Sequence, residues 1–195
     1  MRSSICLSLI MLGMVPCEAA TVSFAGSYSQ QNPPSAASGR CAPARRTVTY
    51  GPAIAPVAGT SNLGSFLPSG SHCIDLATGA YGDGLFSFDF GLGDALDGTY
   101  SGALTPTADP RQFANLQNFL VTGGSGRFAG ATGAFTGIGT VTFAMGALPS
   151  AFETISGTID IPSIPEPSAW ASMMLGFAAI GLARRRMRHP DTAPA

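Results

Sequence analysis

The chain has 195 residues, of which 11% are charged, with 25 Gly, 15 Pro and a formal net charge of −1. That length suits one ordinary domain with signals at its ends, and so little charge excludes a nucleic-acid binder held by a basic surface. All ten basic residues are Arg, four of them between Arg184 and Arg188, while residues 21–162 hold five Arg against eight acids, a formal −3.

The N-terminus predicts an export signal. Arg2 precedes an apolar stretch from Ile5 to Val15, followed by Pro16 and the small residues of CEAAT. A positive start, an apolar core and a small-residue end are the pattern of a secretory signal peptide. The expected signal is 1–19, cut after Ala19 so that Cys17 and Ala19 fill the two small-residue positions, with the Sec translocon and signal peptidase as partners. Pro16 directly before Cys17 argues against a lipoprotein cysteine, and the apolar stretch is short for a retained anchor.

Residues 20–162 are the expected exported domain, and their pattern is strand-like. In TVSFAGSY, Val22, Phe24 and Tyr28 share one face; in LFSFDF, Phe86, Phe88 and Phe90 do so; in TISGTIDI, Ile155, Ile159 and Ile161 oppose Thr and Asp. LQNFLVT and GTVTFAM add β-branched and aromatic runs, and Gly, Pro and Asp clusters separate the pieces. No segment carries a helical apolar stripe. The fold expected is all-β, a small antiparallel barrel or, alternatively, a sandwich. A signal helix would precede it and a single transmembrane helix would follow.

Cys41 and Cys73 are the only cysteines left after signal removal. In an oxidising compartment such a pair most simply forms one disulfide. The other reading, a metal site with His72, is short of the four ligands that structural zinc wants. No metal and no cofactor is therefore expected.

The densest motif is GGSGRFAGATGAFTG, residues 123–137. A dinucleotide loop would have to open a helix, and the glycines that follow oppose one. The motif reads instead as a glycine-rich turn leading into a bent strand. Its candidate fold residues are Gly123, Gly124, Gly126, Arg127, Phe128, Gly130 and Gly133. Arg127 points either to solvent or to a carboxylate. Asp83-Gly84 and Asp97-Gly98 read as turns, with weak calcium binding as the other reading of the Asp cluster. His72 is the sole histidine of the domain and no GxSxG elbow is present, so no catalytic residue is expected.

FSFDFGLGDALDGTYSGAL followed by FLVTGGSGRFAGATG is similar in order to bacterial secreted domains loosely related to the allene oxide cyclase and dirigent barrels. Ser125 stands where those domains carry Thr. The resemblance implies an antiparallel barrel of about eight strands and an alternative function as a small-ligand-binding or enzymatic barrel.

The C-terminal stretch begins with Pro165, Glu166 and Pro167, which hold the backbone extended. Residues 168–183 carry no charge; as a straight helix they would span roughly 24 Å at about 1.5 Å per residue. That is marginal against a hydrocarbon core of about 30 Å. Trp170 suits one interface, and Arg184, Arg185 and Arg186 suit the cytoplasmic face. The order Pro-Glu-Pro, short apolar helix, Arg cluster resembles the PEP-CTERM sorting signal of exported proteins in Gram-negative bacteria that make exopolysaccharide. The resemblance implies a partner, exosortase, that recognises and processes residues 163–188, with 189–195 as a cytoplasmic tail. The expected protein is a non-catalytic β passenger, exported, held in the inner membrane and processed for the cell surface or the exopolysaccharide matrix. A permanently anchored periplasmic protein is the other outcome.

Overall fold

The computed structural model describes residues 19–33, 40–41, 45–162, 174–181 and 184. The chain divides into two units, residues 19–162 and the two chain ends.

The first unit is all strand apart from one turn of 3-10 helix. In chain order the elements are β1 Ala19–Gln31, β2 Arg45–Tyr50, β3 Val57–Ser61, β4 Gly64–Asp75, β5 Ala80–Gly91 and β6 Asp94–Pro106. Then come β7 Gln112–Ser125, the 3-10 turn Gly126–Phe128, β8 Thr132–Thr142 and β9 Ser150–Pro162. The nine strands form one antiparallel sheet in the order β2-β4-β3-β1-β9-β8-β7-β6-β5, and β4 also pairs with β5. Following the pairings from β1 through β3, β4, β5, β6, β7, β8 and β9 therefore returns to β1. All described strands belong to this one sheet, not to the two a sandwich would need.

Alternation decides which side chains point inward. Phe24 and Tyr28 on β1, Phe86 and Phe88 on β5, Phe119 on β7 and Phe135 on β8 are all buried in one aromatic core. Phe90 is only partly buried against it. Phe119 and Phe135 stack with centroids 4.5 Å apart, and Phe66 and Phe88 stack at 4.6 Å.

Inward glycines make room for these rings. Phe135 on β8 and Phe24 on β1 flank β9, whose Gly157 pairs with both. Since Gly157 has no side chain, the two rings meet across it edge to face at 5.0 Å. A Cβ there would lie 2.5 Å from Phe135, closer than packed atoms come. Gly98 stands in the same relation to the Phe86 ring. Alternating small and large inward residues is how a closed sheet fills its interior.

One end of the unit is shut by Leu96, Phe128, Ala131 and Ile159, each 0% exposed. Ala19 and Pro162 are paired neighbours at that end. The unit holds its whole core, all nine strands and its own disulfide, so residues 19–162 suffice to fold.

In the second unit, residues 174–181 are helical and, Gly176 apart, exposed. Among the described residues no helix is long and apolar enough to cross a membrane. The rest of the expected span 168–183, and residues 1–18 of the expected signal 1–19, lie outside the described residues, while Ala19 opens β1.

Candidate functional site

Cys41 and Cys73 form a disulfide, as their compartment and number predict. Cys73 lies on β4 next to His72, so the bridge ties the chain ahead of β2 to the wall of the interior. Among the described residues no group of three or more His, Cys, Asp and Glu could hold a metal.

The glycine-rich motif is a corner. β7 ends at Ser125, Gly126 takes a positive φ of 57°, and the 3-10 turn is only three residues long. No helix opens there to receive a pyrophosphate. Arg127 pairs with Asp94 through Nε at 3.3 Å and donates from Nη2 to the Leu63 carbonyl at 2.8 Å. Its guanidinium also lies 4.7 Å from the Phe128 ring centroid and 5.3 Å from that of Phe90, a cation–π arrangement that caps the shut end. The carboxylate reading of Arg127 is the observed one.

Neither Asp-Gly pair is a turn. Asp83 has φ 52° and sits where the β5–β6 register shifts, and Asp97-Gly98 sits where the β6–β7 register shifts. Both are irregularities inside long strands, which bend the sheet so that it can curve. The β5–β6 reversal falls instead at Leu92-Gly93, where Gly91, Leu92 and Gly93 all have positive φ. Pro165, Glu166, Pro167, Trp170, Arg185 and Arg186 lie outside the described residues; Arg184 is exposed.

Sequence reasoning passed over the opposite end of the interior. A cavity of about 370 Å³ lies there, within the range of small-molecule sites of about 300–1,000 Å³. Val48, Ile74, Leu104 and Val141 give it apolar walls, and Leu76 and Phe143 an apolar rim. Toward the core its lining turns polar, with Gln30, His72, Tyr81, Asn115 and Gln117. All five are buried. The signal was the alternation itself: Asn115 and Gln117 share a face with Phe119 and Val121, and Glu153 shares one with Ile155 and Ile159.

These polar groups are wired to one another. Tyr81 donates its hydroxyl to Asn115 Oδ1 at 2.6 Å, and Asn115 Nδ2 donates to Glu153 Oε1 at 2.6 Å. Asn115 on β7 and Glu153 on β9 both pair with Gly139 on the intervening β8. The missing side chain of Gly139 is what lets the amide and the carboxyl meet across that strand. Tyr28 donates to Gln117 Oε1 at 2.6 Å, and His72 Nδ1 lies 2.7 Å from the Tyr100 hydroxyl. Among the described residues three buried side-chain polar atoms are left without a partner: Gln30 Oε1, Glu153 Oε2 and the Tyr50 hydroxyl.

Burial governs the charges. It pushes Glu153, 0% exposed, up to about 7, with the Asn115 hydrogen bond pulling the other way. Burial, and then Arg40 and Arg45, lower His72 to about 4, so its ring is neutral at physiological pH. Burial also raises Tyr28, Tyr81 and Tyr100, which keep their hydroxyl protons. The side chains that line the inner end of the cavity are polar and neutral, suited to hydrogen bonding within an apolar enclosure, while Glu153, bonded to Asn115, titrates near neutral pH.

No curated protein and no solved structure matches the chain. The likeness of its middle to the allene oxide cyclase and dirigent barrels therefore gains no support. One family model does match, and the matched stretch begins directly after β9 ends at Pro162: residues 163–186 are a PEP-CTERM protein-sorting motif, which implies an exported protein processed by exosortase.

Proposed function

We propose that the chain is an exported passenger delivered by the signal at residues 1–19 and inserted in the inner membrane through residues 168–183. Exosortase then processes it at Pro165-Glu166-Pro167, and the β domain goes to the cell surface or the exopolysaccharide matrix of a Gram-negative host. The observation that carries this reading is the sorting motif at 163–186, which abuts the last strand without overlapping it. A cut within the motif leaves every strand of the sheet in place. In this reading the domain is a closed barrel, supported by the unbroken circuit of pairings, and it is not catalytic.

The test is the intact mass of the protein from its host, with and without the exosortase. The expected mature chain begins near Ala20 and ends near residue 165 only when that enzyme is present. Retention of the arginines at 184–186 in both strains would mean that the segment is a permanent anchor.

A second reading is favoured by the cavity: the passenger is a carrier of a small ligand. Its support is a pocket of ligand size with apolar walls and a few convergent polar groups.

A further inference from the structure

We propose that the cavity takes an uncharged small molecule with an apolar body and a hydrogen-bond donor at its buried end. The proposal rests on the carrier reading and names the class of ligand. The walls and rim set the body: Val48, Ile74, Leu104 and Val141 line it, and Leu76 and Phe143 stand 63% and 41% exposed at the rim. Large apolar side chains left open to solvent around a cavity gain most when an apolar guest covers them.

The inner end sets the polarity. Gln30 is 4% exposed and lines the cavity; its Nε2 donates to Asn32 Oδ1 at 3.2 Å, and its Oε1 has no partner. A buried carbonyl oxygen without a donor is costly to leave so, and a guest that supplies an N–H or O–H, met by a turn of the Gln30 side chain toward the cavity, removes that cost. Three of the neighbouring polar groups are already engaged. Tyr81 gives its proton to Asn115, Asn115 gives one of its own to Glu153, and Gln117 Oε1 is taken by Tyr28.

The absence of fixed charge at this end argues against an ion. Among the residues that line the cavity, Arg46 is the one formal charge, and it is exposed at the rim. An ion pushed to the inner end would be desolvated with no charge in the lining there to pair with, since Arg40 and Arg45 act on His72 from outside the lining and Glu153 lies beyond Asn115.

The experiment uses residues 19–162 with the disulfide formed, and three fluorescent probes of similar shape. N-phenyl-1-naphthylamine is neutral and carries one N–H. 1-Phenylnaphthalene is neutral and carries none. 8-Anilino-1-naphthalenesulfonate carries the N–H and a negative charge. The expected result is that the neutral amine binds about tenfold more tightly than either of the others, the factor that one satisfied buried acceptor supplies. Gln30→Leu should abolish the preference over 1-phenylnaphthalene while leaving binding of that probe intact. Val141→Trp, or Leu104→Trp if the first does not fold, should fill the cavity and abolish binding of all three. Equal binding of the two neutral probes, or tighter binding of the sulfonate, overturns the ligand class and leaves the carrier reading standing. Failure of every probe to bind the folded wild-type domain overturns both.

Discussion

Glu153 has one oxygen on Asn115 and the other unpartnered, in a place with no exposure, so its proton is tied to folding. Its folded pKa is about 7, above its ordinary 4.5. The stability it contributes is therefore fully present below about pH 4.5 and is lost as pH rises through 7. His72 has the opposite sign. Its folded pKa is about 4, below 6.5, so its contribution is present above pH 6.5 and is lost as pH falls through 4. Each is worth about 3 kcal/mol at about 1.36 kcal/mol per unit. In the wild type the two slopes oppose each other between pH 4.5 and 6.5. Glu153→Gln should gain about 3 kcal/mol relative to the wild type between pH 4.5 and 7.5. His72→Gln should lose about the same relative to it between pH 4 and 6.5. Urea unfolding across that range reads both, and parallel curves for the wild type and Glu153→Gln would show that the carboxyl is not buried as described.

At the scale of elements, the disulfide fixes the long connection from β1 to β2 onto β4. Cys41 and Cys73 are 32 residues apart, and closing a loop of that length is worth roughly 3–4 kcal/mol. The double variant Cys41→Ala/Cys73→Ala should be less stable by about that amount, measured as a fall in the urea midpoint with a somewhat steeper slope, because the denatured chain without the bridge exposes more surface. Loss of less than about 1 kcal/mol would mean that the strand pairings alone hold the connection. The strands themselves were legible where alternation is strong. The runs read as strands at 21–28, 85–90, 116–122 and 154–161 all fall inside β1, β5, β7 and β9. The run at 139–145 overshoots, since β8 stops at Thr142. β3, β4 and β6 carry Gly, Pro or Ser at inward or outward places, which blurs the period, and β2 is only six residues long. Pro68 lies inside β4, and Gly98 and Gly102 lie inside β6. The Asp-Gly pairs misled because the same dipeptide serves a turn and a bulge, and only the partner strand decides between them.

The whole molecule depends on a pairing between its first and last strands. β9 lies between β1 and β8, and Ala19 pairs with Pro162 across nearly the full length of the domain. Such long-range closure makes folding slow and all-or-none. A chain of residues 19–162 should unfold in a single cooperative transition. One ending at Pro149 lacks β9, leaves β1 and β8 each unpaired along one edge, and should show neither protection from proteolysis nor a thermal transition. A folded product from the shorter chain would refute the closed circuit.

The sequence by itself determined what local chemistry determines. Two prolines around a glutamate, an uncharged run and an arginine cluster are read by contact with a short stretch of chain, so the sorting motif needed no fold to be seen. One-sided strands and two cysteines in an oxidising setting were equally local. Tertiary structure alone decided the cavity. Gln30, His72, Asn115 and Glu153 come from β1, β4, β7 and β9, and each looks in sequence like one polar interruption of an apolar face. They become a site only when strand register lines them up at one end of the interior, and when Gly139 leaves the gap through which Asn115 reaches Glu153. Register is a property of pairs of strands far apart in sequence, which is why the sorting motif of this protein can be read along the chain and the chemistry of its interior cannot.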